Sequence, residues 1–175
     1  MEFIENARKG HGCIFCKCVA QDFSPAKRIG RPKGLRYKST NLILYYGKHC
    51  FVMMNKYPYN NGHLMVIPYL HRSEISNLKS EIQRELIWLT GESVRILKKA
   101  LKCQGANCGM NIGSVAGAGI AGHVHCHVVP RWLGDSNFMP IIGNAKSMPE
   151  YLAATFKKLK PEFDVIPTKV GISSD

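Results

Sequence analysis

The stretch His123-Val-His-Cys-His-Val-Val-Pro130 places three histidines at alternate positions of a predicted strand. Because successive side chains of a strand point to opposite faces, His123, His125 and His127 share one face, about 6.5–7 Å apart per step. The apolar residues between them face the other way and can enter a core. A single histidine is most often a hydrogen-bonded structural residue, but three on one face of an apolar strand are costly to bury unless they bind something.

Attack on phosphorus is the chemistry that such a face favours. A neutral imidazole is a good nucleophile, and a neighbouring imidazole can donate a hydrogen bond to a phosphoryl oxygen. The preceding residues 113–122 are rich in glycine, and their backbone N–H groups can approach a phosphate closely because glycine lacks a Cβ. The combination predicts a phosphate-containing substrate more strongly than either feature alone.

The pattern from His123 to Val129 resembles the signature of the histidine-triad (HIT) family, in which single apolar residues separate three histidines. The resemblance spans residues 42–163 and includes Asn55-Lys-Tyr-Pro-Tyr-Asn-Asn-Gly-His63 upstream and Gly134-Asp-Ser-Asn-Phe-Met139 downstream. The downstream part is similar to the branch containing bacterial diadenosine tetraphosphate phosphorylases. It implies an α+β fold with a five-stranded antiparallel sheet, two main helices and a two-fold homodimer with paired sheets.

The resemblance also implies roles for individual side chains. His125 resembles the nucleophile that forms a nucleotidyl-histidine intermediate, and His127 the histidine that contacts the α-phosphate or the bridging oxygen. His63 resembles the histidine that completes this phosphate-side cluster. The implied substrate-binding residues are Asn55, toward the ribose hydroxyls, Asn111 and Ser114, toward the phosphates, and Gly119 of the glycine-rich segment. The expected substrate is a dinucleoside polyphosphate or another nucleotide conjugate.

One departure bears on the group that accepts the nucleotide. Hydrolases of the triphosphate-cleaving branch carry a glutamine four residues before the first triad histidine, where this chain has Gly119. A glycine cannot orient a water with its side chain, which favours inorganic phosphate as the acceptor. Positive charge near the strand, including Arg131, suits a second anion. Two alternatives stay open: a hydrolase that uses water, and a nucleotide-binding regulatory module with little turnover.

The pair Cys13-Ile-Phe-Cys16 has the spacing of zinc ligands, although a tetrahedral site needs two more. Zinc-bearing HIT proteins take one histidine after the third strand and one from the triad, which here correspond to His71 and His123. The resemblance therefore implies one structural zinc per chain, held by these four residues. A redox pair is the rival interpretation, but such a pair normally starts a helix after a strand, and no strand is predicted before Cys13.

The composition is that of an ordinary globular chain, with 45% hydrophobic and 21% charged residues among 175. No long apolar run predicts a membrane span, and the first residues lack the apolar region of a secretory signal, so a cytoplasmic location is expected. The formal net charge of +12 suits a polyphosphate or nucleic acid. Nucleic acid is not favoured, because the tyrosines lie in strand and turn positions beside the nucleotide motif.

The predicted organisation is an N-terminal zinc-ligand arm with a basic loop (1–41), a HIT domain (42–163) and a C-terminal tail (164–175). Helical periodicity of apolar residues predicts a long helix that ends before Gly105, with Ser80 as its N-cap and Gln83 completing a capping box. A second, shorter helix is predicted near 149–160. The predicted strands are 41–46, 49–54, 63–67, 108–112 and 123–129.

Overall fold

The computed structural model describes residues 12–22, 42–135 and 150–166. Their elements in chain order are α1 (Ile14–Asp22), β1 (Ile43–Tyr46), β2 (Cys50–Met54), β3 (Leu64–Pro68), α2 (Ser80–Leu101), β4 (Gly105–Gly109), β5 (Cys126–Arg131) and α3 (Leu152–Asp164). Short 3-10 turns lie at Ile75–Asn77 and Ser114–Ala116. No helix within these ranges is long and apolar enough to cross a membrane.

The five strands form one antiparallel sheet in the order β1-β2-β3-β5-β4, which confirms the predicted α+β architecture. Helices α2 and α3 pack against it. The strands β2 and β3 are buried along their whole lengths, as expected for strands at the centre of a covered sheet. The strand β4 lies at the edge and is half-buried to exposed.

The long helix α2 buries the apolar face that its periodicity predicts, with Leu86, Leu89 and Leu97 fully inaccessible. Its start differs from the prediction: Lys79 is the N-cap, and Ser80 is the first helical residue. The side chain of Gln83 donates instead to the carbonyls of Ile75 and Leu78 in the preceding turn. The capping box is therefore absent, because Gln83 ties the helix to that turn.

The N-terminal arm contains a helix that the sequence analysis did not predict, so the described chain has three helices rather than two. Helix α1 begins beside Cys13, and its Phe15 and Val19 are buried in the main core. In the sequence these residues indicate a cysteine cluster rather than a helix, because the helix is too short to show a clear helical period of apolar residues. The basic loop at residues 25–38 lies outside the described residues.

All five strands begin at other residues than predicted, and the shift is largest, three residues, for the last two. Strand β4 covers Gly105–Gly109 rather than 108–112, because its register on β5 pairs Gly105 with Arg131 and ends at Gly109 with His127. Strand β5 begins at Cys126 rather than at residue 123. Pro68 has no N–H with which to extend the β3–β5 ladder, and the chain before Cys126 bonds instead through Val124 N–H to Arg72 O at 2.7 Å.

Candidate active site

The central histidine of the triad is held so that one ring nitrogen is available for chemistry. His125 Nδ1 lies 2.8 Å from the carbonyl oxygen of His123. Because a carbonyl only accepts, Nδ1 carries the proton and Nε2 carries the lone pair. Burial lowers the pKa of His125, so the ring is neutral at physiological pH. A buried, neutral imidazole with Nε2 unprotonated is the form that attacks an electrophile.

The next histidine has the opposite tautomer, which is set by a chain of hydrogen bonds. His63 Nδ1 accepts from the Tyr59 backbone N–H at 3.0 Å, so His63 Nε2 carries the proton. That nitrogen lies 2.9 Å from His127 Nδ1 and donates to it. His127 therefore presents an Nε2–H donor. Burial, with a smaller contribution from His125, lowers the pKa of His127 to about 4.

The rings of His125 and His127 lie with centroids 4.7 Å apart, nearly perpendicular, and both line one cavity of about 410 Å³. This volume is within the range of small-molecule sites. The cavity thus joins a nucleophilic nitrogen to a hydrogen-bond donor. His63 is fully buried behind His127, so it reaches a bound molecule only through that ring.

Part of the cavity comes from residues that the sequence analysis missed. Ile14 and Phe15 of α1 line it, together with Tyr57, Tyr59 and other residues. The Phe15 ring lies edge-on to His125, with centroids 5.0 Å apart. The sequence contained one signal for this placement of Phe15, which is its position between two predicted metal ligands. A residue whose neighbours are held on both sides has a fixed side-chain direction.

The predicted substrate-binding residues are distributed unevenly around the cavity. Asn55 and Gly119 line it. Asn55 is held by the Tyr57 N–H, which donates to its Oδ1 at 2.9 Å, and its Nδ2 donates to His63 Nδ1 at 3.3 Å. A Cβ built at Gly119 meets no described atom within 4 Å. The structure therefore has room for a side chain at the position where the hydrolase branch carries glutamine.

Three other residues lie outside the described lining of the cavity. Asn111 donates to the Gly117 carbonyl at 3.4 Å, and Ser114 is exposed at the start of a 3-10 turn. Their roles toward phosphate stay predictions. Arg131 lies at the far end of β5 and forms an ion pair of 3.6 Å with Asp135. Its charge therefore gives little support to a phosphate site beside His125.

A second cluster lies beside the first and consists of the four predicted zinc ligands. One ligand atom from each of Cys13, Cys16, His71 and His123 lies within 4.8 Å of all the others. Cys13 Sγ and Cys16 Sγ lie 3.4 and 3.7 Å from His123 Nδ1. Cys16 Sγ lies 3.4 Å from His71 Nδ1, and the two histidine Nδ1 atoms are 3.2 Å apart. A tetrahedral zinc site has edges of about 3.3 Å between nitrogens and about 3.8 Å between sulfurs, so the cluster fits.

The electrostatics of the cluster also favour a cation. His123 donates its Nε2–H to the Pro68 carbonyl at 2.9 Å, which leaves the Nδ1 lone pair toward the cysteines, as in many histidine ligands of metals. Burial, with a contribution from Cys13, raises the pKa of Cys16 to about 12. A thiolate there requires a nearby positive charge. The four residues therefore could hold a metal ion.

Comparison with known proteins agrees with the motif and the fold. The HIT domain family matches residues 36–132. The chain is 39% identical to a Mycobacterium tuberculosis protein named AP-4-A phosphorylase over 144 residues, which cover 82% of this chain and 70% of that protein. The chain belongs to the HIT family. It is an enzyme of that family, and the resemblance to the phosphorylase branch is confirmed.

Solved structures of HIT proteins share the fold. A zinc-bound HIT protein from Mycobacterium smegmatis matches with a TM-score of 0.66 and 21% identity, over 88% of this chain and 94% of that one. A hypothetical histidine-triad nucleotide-binding protein from Sulfolobus tokodaii matches with a TM-score of 0.64 and 24% identity, over 87% and 92%. Together with the described strands, these matches confirm the five-stranded HIT architecture.

Proposed function

We propose that this HIT enzyme transfers a nucleotidyl group from a dinucleoside polyphosphate to inorganic phosphate through His125. The supporting observation is the pair of opposite tautomers in one cavity. His125 offers an Nε2 lone pair, and His127 offers an Nε2–H donor beside it. The relative named AP-4-A phosphorylase supports diadenosine tetraphosphate as the substrate to test first.

In the first step His125 Nε2 attacks the α-phosphorus of diadenosine tetraphosphate. A P–N bond forms, the bond from that phosphorus to its bridging oxygen breaks, and ATP leaves. The His127 Nε2–H donates a hydrogen bond to the oxygen on which charge develops. The hydrogen bonds from Tyr59 through His63 keep this proton on the outer nitrogen of His127. His63 is thus a positioning residue rather than a substrate contact.

In the second step an oxygen of phosphate attacks the nucleotidyl-histidine, the P–N bond breaks and ADP is released. Water in place of phosphate gives AMP. The open space at Gly119 supports phosphate, since a side chain that would orient water is missing and the cavity keeps that volume. The test is chromatography of the products at saturating phosphate. ADP plus ATP supports the phosphorylase, whereas AMP plus ATP identifies a hydrolase, and binding without turnover identifies a regulatory module.

We also propose that the four-residue cluster holds one structural zinc per chain. Its geometry and its donor set of two thiols and two imidazoles both suit Zn²⁺. The bound metal would fix helix α1 to the loop after β3 and to the triad segment. These contacts would help to hold Phe15 against His125, because Phe15 lies between the two cysteines.

A homodimer is part of the proposal and rests on the sheet edge. Strand β4 is the last strand of the sheet, and residues 107–109 are exposed. An exposed edge strand presents backbone groups that can pair with another chain. Sedimentation velocity of the purified protein tests this, and a monomer at all concentrations would contradict it. Cytoplasmic location stays a prediction.

A further inference from the structure

His63 lies just outside the described pairing of β3 with β5, which begins at Leu64 opposite Val128. Its backbone is held by the chain that precedes β3. The His63 N–H donates to the Asn60 carbonyl at 3.1 Å, and the His63 carbonyl accepts from the Asn55 N–H at 2.9 Å. The direction of the His63 ring therefore depends on how this turn before β3 is fixed.

Asn60 joins the turn before β3 to the strand that carries His127. It is 6% exposed. Its Nδ2 donates to the Pro130 carbonyl at 3.1 Å and to Asp135 Oδ2 at 2.7 Å, and its Oδ1 accepts from the Asn61 N–H at 3.1 Å. A buried amide is costly unless its hydrogen bonds are made, so these contacts fix the turn against the end of β5.

Asp135 provides the acceptor on the other side. Its Oδ2 also accepts from the Trp132 N–H at 3.0 Å and lies 3.6 Å from Arg131 Nε. One carboxylate oxygen thus joins the turn before β3 to the turn after β5. Asp135 lies outside the cavity lining, so it can act on the reacting histidines only through other residues.

We propose that Asn60 and Asp135 are positioning residues for the hydrogen-bond donor on His127. The inference rests on the proposed function and deepens it. Tyr59 directly precedes Asn60, and its N–H donates to His63 Nδ1 at 3.0 Å. While Asp135 holds Asn60, this N–H stays aligned, His63 Nε2 keeps its proton and donates to His127, and His127 keeps its own proton on Nε2. When the pair is broken, the turn can shift and the two tautomers of His127 become closer in free energy.

The test compares the loss of two side-chain acceptors from the same turn after β5. Asp135→Leu removes the acceptor of Asn60. Gln104→Leu is the matched control, because it removes the acceptor of the Leu133 N–H at 2.6 Å and leaves the contacts of Asn60 in place. With diadenosine tetraphosphate and saturating phosphate, Asp135→Leu should lower kcat by about 5-fold, the size of one net hydrogen bond, and change KM by less than about 2-fold. Gln104→Leu should have the kcat of wild type. Asp135→Asn keeps an oxygen for Asn60 and should retain most of the rate.

Nitrogen NMR of histidine-labelled protein supplies a readout that needs no substrate. Ring nitrogen shifts distinguish the two neutral tautomers, and His127→Ala assigns the signals of His127. Wild type and Gln104→Leu should hold the His127 proton on Nε2. In Asp135→Leu the shifts should move part of the way toward the other tautomer, because the longer bond from Asn55 Nδ2 to His63 Nδ1, at 3.3 Å, still favours the native form.

An unchanged His127 tautomer in Asp135→Leu would overturn the inference, whatever the rate of that variant. Equal losses of kcat in Asp135→Leu and Gln104→Leu would also overturn it, because the stability of the turn would then explain the effect. Wild-type protein without turnover would overturn the proposed function alone, since the tautomers are measured without substrate.

A second pair of variants serves if Asp135→Leu does not fold. Asn60→Asp places a carboxylate against Asp135, so it breaks the same bond and should cause a similar loss of kcat. Adding Asp135→Asn to it supplies a donor to the new carboxylate and should restore part of the rate. A double variant as slow as Asn60→Asp would overturn the inference.

Discussion

Two histidines of the triad, only two residues apart, use opposite ring nitrogens. His123 donates its Nε2–H to the Pro68 carbonyl and directs Nδ1 toward the cysteine cluster. His125 donates its Nδ1–H to the His123 carbonyl and keeps the lone pair on Nε2. The sequence around the two histidines is nearly the same, so the difference between them comes from the backbone carbonyl that each ring reaches. That carbonyl decides which ring nitrogen keeps its lone pair. One position then suits a metal and the other a nucleophile.

The two sites are also mechanically connected. The backbone carbonyl of His123 is the partner that fixes the tautomer of His125, and the Phe15 ring lies edge-on to both rings, with centroids 5.5 and 5.0 Å away. The metal cluster and the nucleophile should therefore be separable in their chemistry but coupled in their geometry.

The largest effect is expected when the nucleophile is removed. His125→Ala should lower turnover by at least about 10³-fold, because no other described group in the cavity has the same nitrogen in place. Binding of nucleotide should be largely kept, since Asn55 and the glycine-rich loop remain. Steady-state rates and equilibrium binding of AMP measure the two quantities.

Zinc content is the control in that experiment. His125 is not among the four clustered ligands, so the variant should hold as much zinc as wild type. A rate within a few-fold of wild type would remove His125 from the nucleophile role. A variant that loses its zinc would show that the two sites are not separable.

The second prediction concerns the cluster. Cys16→Ser should release zinc and lower Tm by about 10 °C, because several kcal/mol of metal binding are coupled to folding and about 1 kcal/mol shifts Tm by 2–4 °C at this size. It should also weaken AMP binding, because Phe15 is no longer fixed from both sides. Cys108→Ser is the matched control, since Cys108 is an exposed thiol on β4. Native protein without zinc, prepared without chelators, would contradict the zinc site.

Much of this pair of sites could be predicted from the sequence, since period-two histidines and a C-x₂-C pair are local patterns. The structure brings Cys13, Cys16, His71 and His123 together as the resemblance implied. The contact of Phe15 with His125 could not be predicted in the same way. The two residues are 110 positions apart in the chain, and their contact depends on how α1 packs. No local periodicity of the sequence indicates such packing.

The backbone hydrogen-bond partners of the histidines also could not be predicted from the sequence. The prediction gave three histidines on one strand, but β5 begins only at Cys126, so His123 and His125 precede the strand. Their tautomers follow from the carbonyls of Pro68 and His123, which a sequence pattern does not show. The residue types of the site were therefore predictable, whereas the assignment of each ring nitrogen required the structure.

The third prediction concerns the hydrogen-bond chain behind His127. His63→Leu should lower kcat by about 10- to 100-fold, the size typical of a lost outer-shell partner, with a smaller change in KM. His63→Gln should restore part of the rate, because an amide N–H can reach His127 Nδ1 as the imidazole N–H does. If the leucine and glutamine variants were equally slow, packing rather than proton placement would explain the role of His63.

The smallest effect is expected in the pH dependence. Attack requires neutral His125, and a histidine with the ordinary pKa of about 6.5 would be about three-quarters protonated at pH 6. Burial lowers the pKa of His125, and that of His127 to about 4, so both rings gain protons at lower pH than an unshifted histidine does. Between pH 7.5 and pH 6 an unshifted histidine would lower the rate of nucleotidyl-enzyme formation by about 4-fold, and the loss in this protein should be smaller than that.

The measurement uses diadenosine tetraphosphate without added inorganic phosphate. Inorganic phosphate would titrate near neutral pH and add its own pH dependence, whereas diadenosine tetraphosphate does not titrate there. Phe15→Ala provides the test of cause. It removes the ring that covers His125, so more water reaches the imidazole, its pKa rises, and the acid limb of the profile moves toward pH 6.5. Phe15→Leu keeps an apolar cover and should leave the limb where wild type has it. A wild-type midpoint at or above pH 6.5, or an unmoved limb in Phe15→Ala, would show that burial by α1 does not set the protonation of the nucleophile.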